Sequence, residues 1–299
     1  MSNAYREKKK ATTYAVKTNC TVEEFLSKVM AGKSRTSLRQ MLSWGVVRVS
    51  QKPVKRLDEV ILAGQSVTIY PKPERQFEMP KSLKIIYEDD WLIVVDKAAG
   101  LLTIATETEK EHTAYAYLSA YLKFYKKSDK IFIVHRIDRQ TSGLLVFAKS
   151  EMVQRALREN WDDTVVSRKY TAVAEGHFVR KQGTISTWID EDEDSLKMYV
   201  TRPGVGKRAV THYRVIDETF NLSLLELELE TGRKNQIRVH MKYAGHILVG
   251  DKKYGSRVDV LGRLCLHAGE ISFYHPMTGR LMRFESKVPP DFLKLFRKD

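Results

Sequence analysis

One carboxylate stands among bases in His135-Arg136-Ile137-Asp138-Arg139. One residue further on, Thr141-Ser142-Gly143 interrupts the chain before Leu144-Leu145-Val146-Phe147-Ala148-Lys149, which opens on a run of strand-forming residues. An acid at the end of an apolar segment, flanked by arginines, suits a carboxylate kept ionised to meet a polyanion, because a nearby guanidinium favours the charged form. At about 4 Å and an effective dielectric near 20, such a pair gains roughly 4 kcal/mol before desolvation is subtracted. An ordinary surface loop also contains an Asp between two arginines, so the chemistry needs support from elsewhere in the chain.

Three further segments offer it. Arg168-Lys169-Tyr170-Thr171-Ala172 begins a strand with an aromatic directly after two bases. Thr231-Gly232-Arg233-Lys234-Asn235-Gln236-Ile237-Arg238-Val239-His240 sets bases on a turn and the first turn of a helix. Gly250-Asp251-Lys252-Lys253-Tyr254-Gly255 and then Leu266-His267-Ala268 follow.

The elements that must hold these residues are legible in part. Apolar strands are expected at 84–87 and 91–95 around the turn Glu88-Asp89-Asp90, and at 131–134, 144–148, 168–174, 209–215 and 224–229. In the last, Leu225, Leu227 and Leu229 alternate with Glu226, Glu228 and Glu230, the pattern of a strand with one wet face. Helices are expected at 151–160, 235–243 and 291–297. Strands outnumber helices and no regular strand–helix alternation appears, which points to an α+β fold with a largely antiparallel sheet.

The first 75 residues read differently. Fifteen Lys/Arg face six Asp/Glu there, so a quarter of the chain carries +9 of the total net charge of +14. That asymmetry suits a module for a polyanion (RNA, DNA or an anionic membrane) joined to a more balanced domain. Residues 1–18, with Lys8-Lys9-Lys10, are polar and are expected to form a mobile arm. Thr21-Val22-Glu23-Glu24 fits a capping box ahead of Phe25, Leu26, Val29 and Met30 at helical spacing, with Gly32 as the stop. A second helix is expected over 36–43, ended by Gly45, with strands at 46–49 and 66–70. Pro71, Pro73 and Pro80 bracket a linker.

Two short helices and small strands carrying Lys33, Arg35, Arg39 and Arg48 resemble the S-four domain, a small RNA-binding domain shared with a small-subunit ribosomal protein. The resemblance implies that these four side chains face RNA phosphates. Its usual Asn-Gly turn is replaced by Ser50-Gln51-Lys52-Pro53.

These four segments, in this order, resemble the RluA-type pseudouridine synthases over about residues 83–285. That family isomerises uridine to pseudouridine within RNA. The resemblance implies a pseudouridine synthase fold, with a mixed, largely antiparallel sheet flanked by helices around a central cleft. It implies that Asp138 is the catalytic aspartate, Tyr170 the tyrosine stacked on the uracil, and Arg238 the partner of the carboxylate. Ile237 would pack on the base, Arg136 would fill the space left by a flipped nucleotide, and Arg233 and Gln236 would stand beside the substrate. The implied division is a basic RNA-binding module over 1–75, a linker over 76–82 and a catalytic domain over 83–299. The implied partner is RNA, ribosomal first and transfer RNA second, for a cytoplasmic monomer. Two departures stand out: Asp96-Lys97-Ala98-Ala99-Gly100 where the family often has Asn-Lys-Pro-Ala-Gly, and Asn235 where it commonly has His.

Composition and motifs argue against several other classes. No apolar run approaches the roughly 18 residues of a membrane-spanning helix, and the polar N-terminus does not read as a secretory signal. Cys20 and Cys265 have neither metal-ligand nor disulfide spacing. The histidines, with His240, His246, His267 and His275 around helix and strand ends, read as structural, and Glu191-Asp192-Glu193-Asp194 lacks the spacing of a calcium loop. Neither metal nor cofactor is expected, since turning a base over on its sugar adds no atom and changes no oxidation state. Two other readings remain: an RNA-binding or ribosome-assembly protein that keeps the fold without the chemistry, and a glycoside hydrolase. The first gives no reason for the carboxylate, and the second needs a second acid across the cleft that no motif supplies.

Overall fold

The computed structural model describes residues 11–71, 77–159 and 161–297, with 162 and 163 described in backbone only. The chain forms two compact units, Met1–Phe77 and Glu78–Asp299. The Lys8-Lys9-Lys10 arm, Pro73 and the start of the expected linker lie outside the described residues.

The first unit runs β1 (Thr12–Ala15), β2 (Cys20–Thr21), α1 (Val22–Val29), α2 (Arg35–Ser43), β3 (Val47–Val49), β4 (Lys52–Pro53), β5 (Val60–Ile61) and β6 (Ser66–Ile69). Its four-stranded sheet has the order β1-β6-β3-β4, and β2 pairs with β5. The capping box forms: the Thr21 hydroxyl accepts from the Glu24 amide at 3.2 Å and the Thr21 amide donates to the Glu24 carboxylate at 2.8 Å. Leu26 of α1 and Leu38 and Leu42 of α2 then bury against Val47 and Val67 of the sheet. The expected mobile arm is corrected here, because Thr12–Ala15 pairs antiparallel with Ser66–Ile69. Two β-branched threonines and a tyrosine suffice for an edge strand, although the segment has little apolar content of its own. In the β3–β4 turn, Ser50 and Gln51 take φ of +46° and +69°. These are the two left-handed positions that Asn-Gly fills without strain, so the tight turn persists with a less suited pair.

The second unit continues with β7 (Leu83–Glu88), β8 (Leu92–Lys97), α3 (Ala114–Tyr125), β9 (Phe132–Ile133), β10 (Ser142–Ala148), α4 (Glu151–Glu159), α5 (Trp161–Thr164) and β11 (Val165–Glu175). After these come β12 (Gln182–Glu191), β13 (Met198–Thr201), β14 (Lys207–Glu218), β15 (Leu222–Leu229), α6 (Gln236–Tyr243), β16 (Leu266–Tyr274), β17 (Leu281–Glu285) and α7 (Pro290–Lys294). One eleven-stranded sheet has the order β13-β12-β14-β15-β11-β16-β10-β8-β7, with β17 on β16 and β9 on β10. Every named pair in it is antiparallel except β10–β16. The fold is therefore α+β with a mixed, mostly antiparallel sheet.

Both faces of the sheet centre are covered. Ile93 and Val95 of β8 turn to one side with Leu145 and Phe147, under Ala114, Leu118 and Leu122 of α3. Leu92 and Val94 turn to the other, with Val146, under Val153 and Leu157 of α4. The helix α3 is absent from the sequence-based expectation because Ala-Tyr-Ala-Tyr alternates with a period of two. Its helical signal is the sparse set Ala114, Leu118, Leu122, capped by the Thr113 hydroxyl accepting from the Ala116 amide at 3.0 Å. The parallel β10–β16 junction needs Gly143: at φ +112°, a Cβ there would stand 2.2 Å from the Ala268 carbonyl oxygen.

Candidate active site

Asp138 lies between β9 and β10 on a loop tied down from below. The Thr103 hydroxyl donates to the Ile137 carbonyl at 2.8 Å, and the Thr141 amide closes a turn onto the Asp138 carbonyl at 3.1 Å. Beneath the loop, the fully buried Lys97 ammonium reaches the carbonyls of Thr141 at 2.7 Å, Leu101 at 2.8 Å, Ala98 at 3.0 Å and Arg139 at 3.2 Å. Burial pulls the Lys97 pKa down to about 7, a shift that the charge of Asp138 opposes. One cation thus joins the end of β8 to both sides of the Asp138 turn.

Arg238 comes from the first turn of α6, a hundred residues away in sequence. Its Nη1 donates to Asp138 Oδ2 at 3.0 Å. Its Nε and Nη2 donate in parallel to the two oxygens of Asp251, at 2.8 and 2.7 Å. This fork is the bidentate geometry that fixes a guanidinium plane. Asp251 is completely buried, Arg238 nearly so, and Asp138 keeps 26% of its side chain exposed. Burial would lower the Arg238 pKa, but Asp251 first and Asp138 second raise it above the usual arginine range. The guanidinium also lies 5.0 Å over the Tyr254 ring. Asn235 links the set, its amide donating to the Tyr254 hydroxyl at 3.2 Å and its carbonyl oxygen accepting from Arg238 at 3.3 Å. As N-cap of α6, Asn235 takes φ +51°, a conformation that Asn tolerates better than most side chains. Gly250 is required beside Asp251, since at φ +75° a Cβ would stand 2.0 Å from the Arg263 carbonyl oxygen.

Tyr170 faces the same cleft as Asp138 and Arg238, with Ile237 and Leu266 on its apolar wall. The register between β11 and β16 slips between Lys169 and Tyr170, where Lys169 opposes Glu270 and Tyr170 opposes Ala268. A bulge of this kind re-aims the side chain next to it. Burial raises the Tyr170 phenol pKa, with Arg168 opposing and Asp138 reinforcing the shift. An aromatic ring, an apolar wall and one carboxylate paired with a guanidinium form a small cleft that suits a flat polar ring with reactive chemistry at one edge.

A family model described as RNA pseudouridylate synthase matches residues 91–243. An uncharacterized RNA pseudouridine synthase of Bacillus subtilis, YlyB, is 38% identical over 92% of this chain and 92% of its own. The ribosomal large subunit pseudouridine synthase D of Neisseria meningitidis serogroup A is 38% identical over 92% of this chain and 77% of its own. The chain belongs to the RNA pseudouridine synthase family. Among solved structures, human RNA pseudouridylate synthase domain containing 4 shares the fold, with a TM-score of 0.58 at 24% identity over 70% of this chain and 90% of its own.

In this synthase the remaining expected site residues fall into two groups. Arg136 and Arg233 are exposed on the rim of the cleft, Arg233 also donating to the Arg208 carbonyl at 3.1 Å. Gln236 is different. Its side-chain oxygen accepts from the Thr231 hydroxyl and the Arg233 amide, and its NH₂ donates to the Val210 carbonyl and the Thr211 hydroxyl. Those four bonds use the full capacity of an amide, so Gln236 shapes the turn and has no polar group left for a substrate. Ile237 is buried as part of the cleft's apolar wall.

In the first unit Lys33, Arg35 and Arg39 are exposed, and Arg35 pairs with Glu23 at 2.9 Å. Arg48 is half-buried, its guanidinium 5.0 Å over the Tyr70 ring, and its Nε is buried without a hydrogen-bond partner. Sequence reasoning does not single out Lys97, Asp251 or Tyr254 as individuals. A lysine at the end of an apolar strand and an acid directly after a glycine were the available signals. No helix is long and apolar enough to cross a membrane, and among the described residues no three His, Cys, Asp or Glu side chains gather as a metal site requires.

Proposed function

We propose that this synthase isomerises uridine in structured RNA, with large-subunit ribosomal RNA as the substrate and Asp138 as the catalytic carboxylate. The observation that carries the reading is the 3.0 Å contact between Asp138 and an Arg238 whose orientation is held by buried Asp251. The reaction cleaves the bond from C1′ to N1, turns the uracil, joins C1′ to C5, and moves the C5 proton to solvent as N1 gains one. Attack by the carboxylate and removal of a sugar proton both require an ionised Asp138 next to the sugar. No external atom enters, so no cofactor is called for.

A stacked uridine cannot reach a cleft floor, so the nucleotide is flipped out at a cost of a few kcal/mol. Stacking on Tyr170 offsets about 1–3 kcal/mol of that. The exposed bases of the first unit contribute phosphate contacts that position RNA without reading its sequence. The printed name of the Neisseria relative supports ribosomal RNA over transfer RNA.

Asp138→Asn keeps the size of the side chain and removes its charge. It is expected to lower turnover by more than a thousandfold while RNA affinity stays within about threefold. Turnover within tenfold of wild type would defeat the assignment of the carboxylate. Mapping pseudouridine in total RNA from a deletion strain and its complemented partner identifies the substrate. Loss of signal at large-subunit positions is expected, and loss confined to transfer RNA would redirect the reading.

A further inference from the structure

Next to the Asp138 cleft lies a larger cavity of about 510 Å³. Its walls come from three elements: Tyr115 from α3, Phe132 and Ile133 from β9, and Gln154 and Arg158 from α4, with Arg136 at its mouth. The two depressions are continuous. A groove past His135, Arg136, Arg158, Trp161 and Arg168 leads to Tyr170 and Arg233, which also line the Asp138 cleft.

The lining is chemically specific. Tyr115 leaves 38% of its surface exposed. Arg136 and Arg158 are exposed, and among the described residues neither has a carboxylate partner. Two neighbouring arginines without carboxylate partners thus stand over one cavity. Gln154 donates its NH₂ to the Ile133 carbonyl at 2.7 Å, which fixes the amide and turns its carbonyl oxygen outward as an acceptor. His135 Nε2 accepts from the Val146 amide at 3.1 Å, which places the ring proton on Nδ1 as a donor at the wall shared with the groove. Burial, together with Arg168, holds this imidazole neutral, with a pKa of about 3. Exposed aromatic surface interleaved with cations and fixed amide groups is how proteins hold unstacked bases and their phosphates.

We propose that this cavity receives a second unstacked nucleotide of the same RNA strand whose uridine enters the Asp138 cleft. Its base lies against Tyr115 and Phe132, and Arg136 and Arg158 take the phosphates. The inference rests on the reading of the cleft as the uridine site, and the groove between the two supplies the connection. An acidic peptide would satisfy the arginines but would leave the aromatic wall and the line to the cleft unexplained. The consequence is that substrate choice depends on a nucleotide near the target, read chiefly by stacking and therefore with modest base preference.

The test uses a ribosomal RNA hairpin that the full-length wild-type protein converts, with 2-aminopurine placed at each loop position flanking the target. Binding of Asp138→Asn protein is expected to raise fluorescence at one flanking position in addition to any change at the target. Tyr115→Ala combined with Arg158→Ala should abolish that rise and raise KM about tenfold, with kcat within twofold of wild type. Tyr115→Phe should restore most of the lost affinity, which a merely unfolded variant could not do. An abasic nucleotide at the responding position should cost wild type a similar factor and cost the double variant nothing further. If the hairpin is converted but no flanking position responds, or the double variant matches wild type in KM, the cavity is not an RNA subsite and is left to a protein partner. If no uridine in any ribosomal or transfer RNA is converted, the reading of the cleft falls first and this inference falls with it.

Discussion

Arg238 and Arg39 are the same residue type in opposite settings. Arg238 is nearly buried, with four of its contacts assigned: the two Asp251 oxygens, Asp138 and Asn235. Arg39 stands exposed on α2 with no ion pair among the described residues. A charge that must address one atom of a reacting group is costly to bury and is held by other buried groups. A charge that meets a phosphate backbone gains from freedom, because phosphates recur along the strand and the attraction is long-ranged and salt-dependent. On the proposed function the two units would separate two tasks: one orients a carboxylate, and the other raises the local concentration of RNA.

The comparison breaks most severely at Asp251. Asp251→Asn leaves a single acceptor facing a two-pronged donor and leaves a buried cation half-compensated, a change that typically costs 3–5 kcal/mol. Turnover is expected to fall about a hundredfold or more, and the urea midpoint to drop clearly, although Asp251 touches no substrate. Wild-type turnover in this variant would mean that Arg238 needs no second anchor.

Lys97→Met comes next. Methionine fills most of the same volume and removes the tie between the Asp138 loop and β8, so kcat is expected to fall about tenfold with KM little changed. Its stability carries a pH signature. With a folded pKa of about 7 against 10.5 when unfolded, the unfolded chain holds more protons than the folded one between those values. Wild-type stability should therefore gain up to about 1.4 kcal/mol per pH unit from Lys97 as pH rises from about 7 toward 10. Below about pH 7 the full cost of the buried charge is present. Lys97→Met should lack this rise, and parallel stability–pH curves for the two proteins would refute the assignment.

On the other side of the comparison, Lys33→Ala with Arg39→Ala should weaken RNA binding only about three- to tenfold. The salt dependence should lose about one to two units of slope, and kcat should not change. A fall in kcat would show that the first unit takes part in orienting the reacting nucleotide. The smallest effect is expected at the β3–β4 turn. Replacing Ser50 by Asn and Gln51 by Gly removes side-chain strain at two left-handed positions and should stabilise the first unit by about 1 kcal/mol, read as a higher unfolding midpoint with RNA affinity unchanged.

Much of this was legible from local pattern, and some was not, for identifiable reasons. The capping box at Thr21 and Glu24, the hairpin around Asp89 and the half-wet strand β15 are encoded within a few residues, so periodicity and turn chemistry suffice. The helix α3 escaped because its aromatic alternation imitates a strand. Strand β1 escaped because its reason for ordering is β6, more than fifty residues later. Gln236 illustrates the converse. Its place between Arg233 and Arg238 suggests a substrate contact, and only the positions of Val210 and Thr211 reveal that its amide is already spent.

By itself the sequence determined the α+β class, the excess of positive charge in the first quarter of the chain, and a short set of candidate site residues. Tertiary structure alone decided which of them meet. Asp138 and Arg238 are a hundred residues apart, and they meet where buried Asp251 holds the guanidinium and buried Lys97 ties down the Asp138 loop. Burial is a property of the whole packed sheet and its helices. No window of a few residues can report how much water a side chain will lose or which partner will stand in for it.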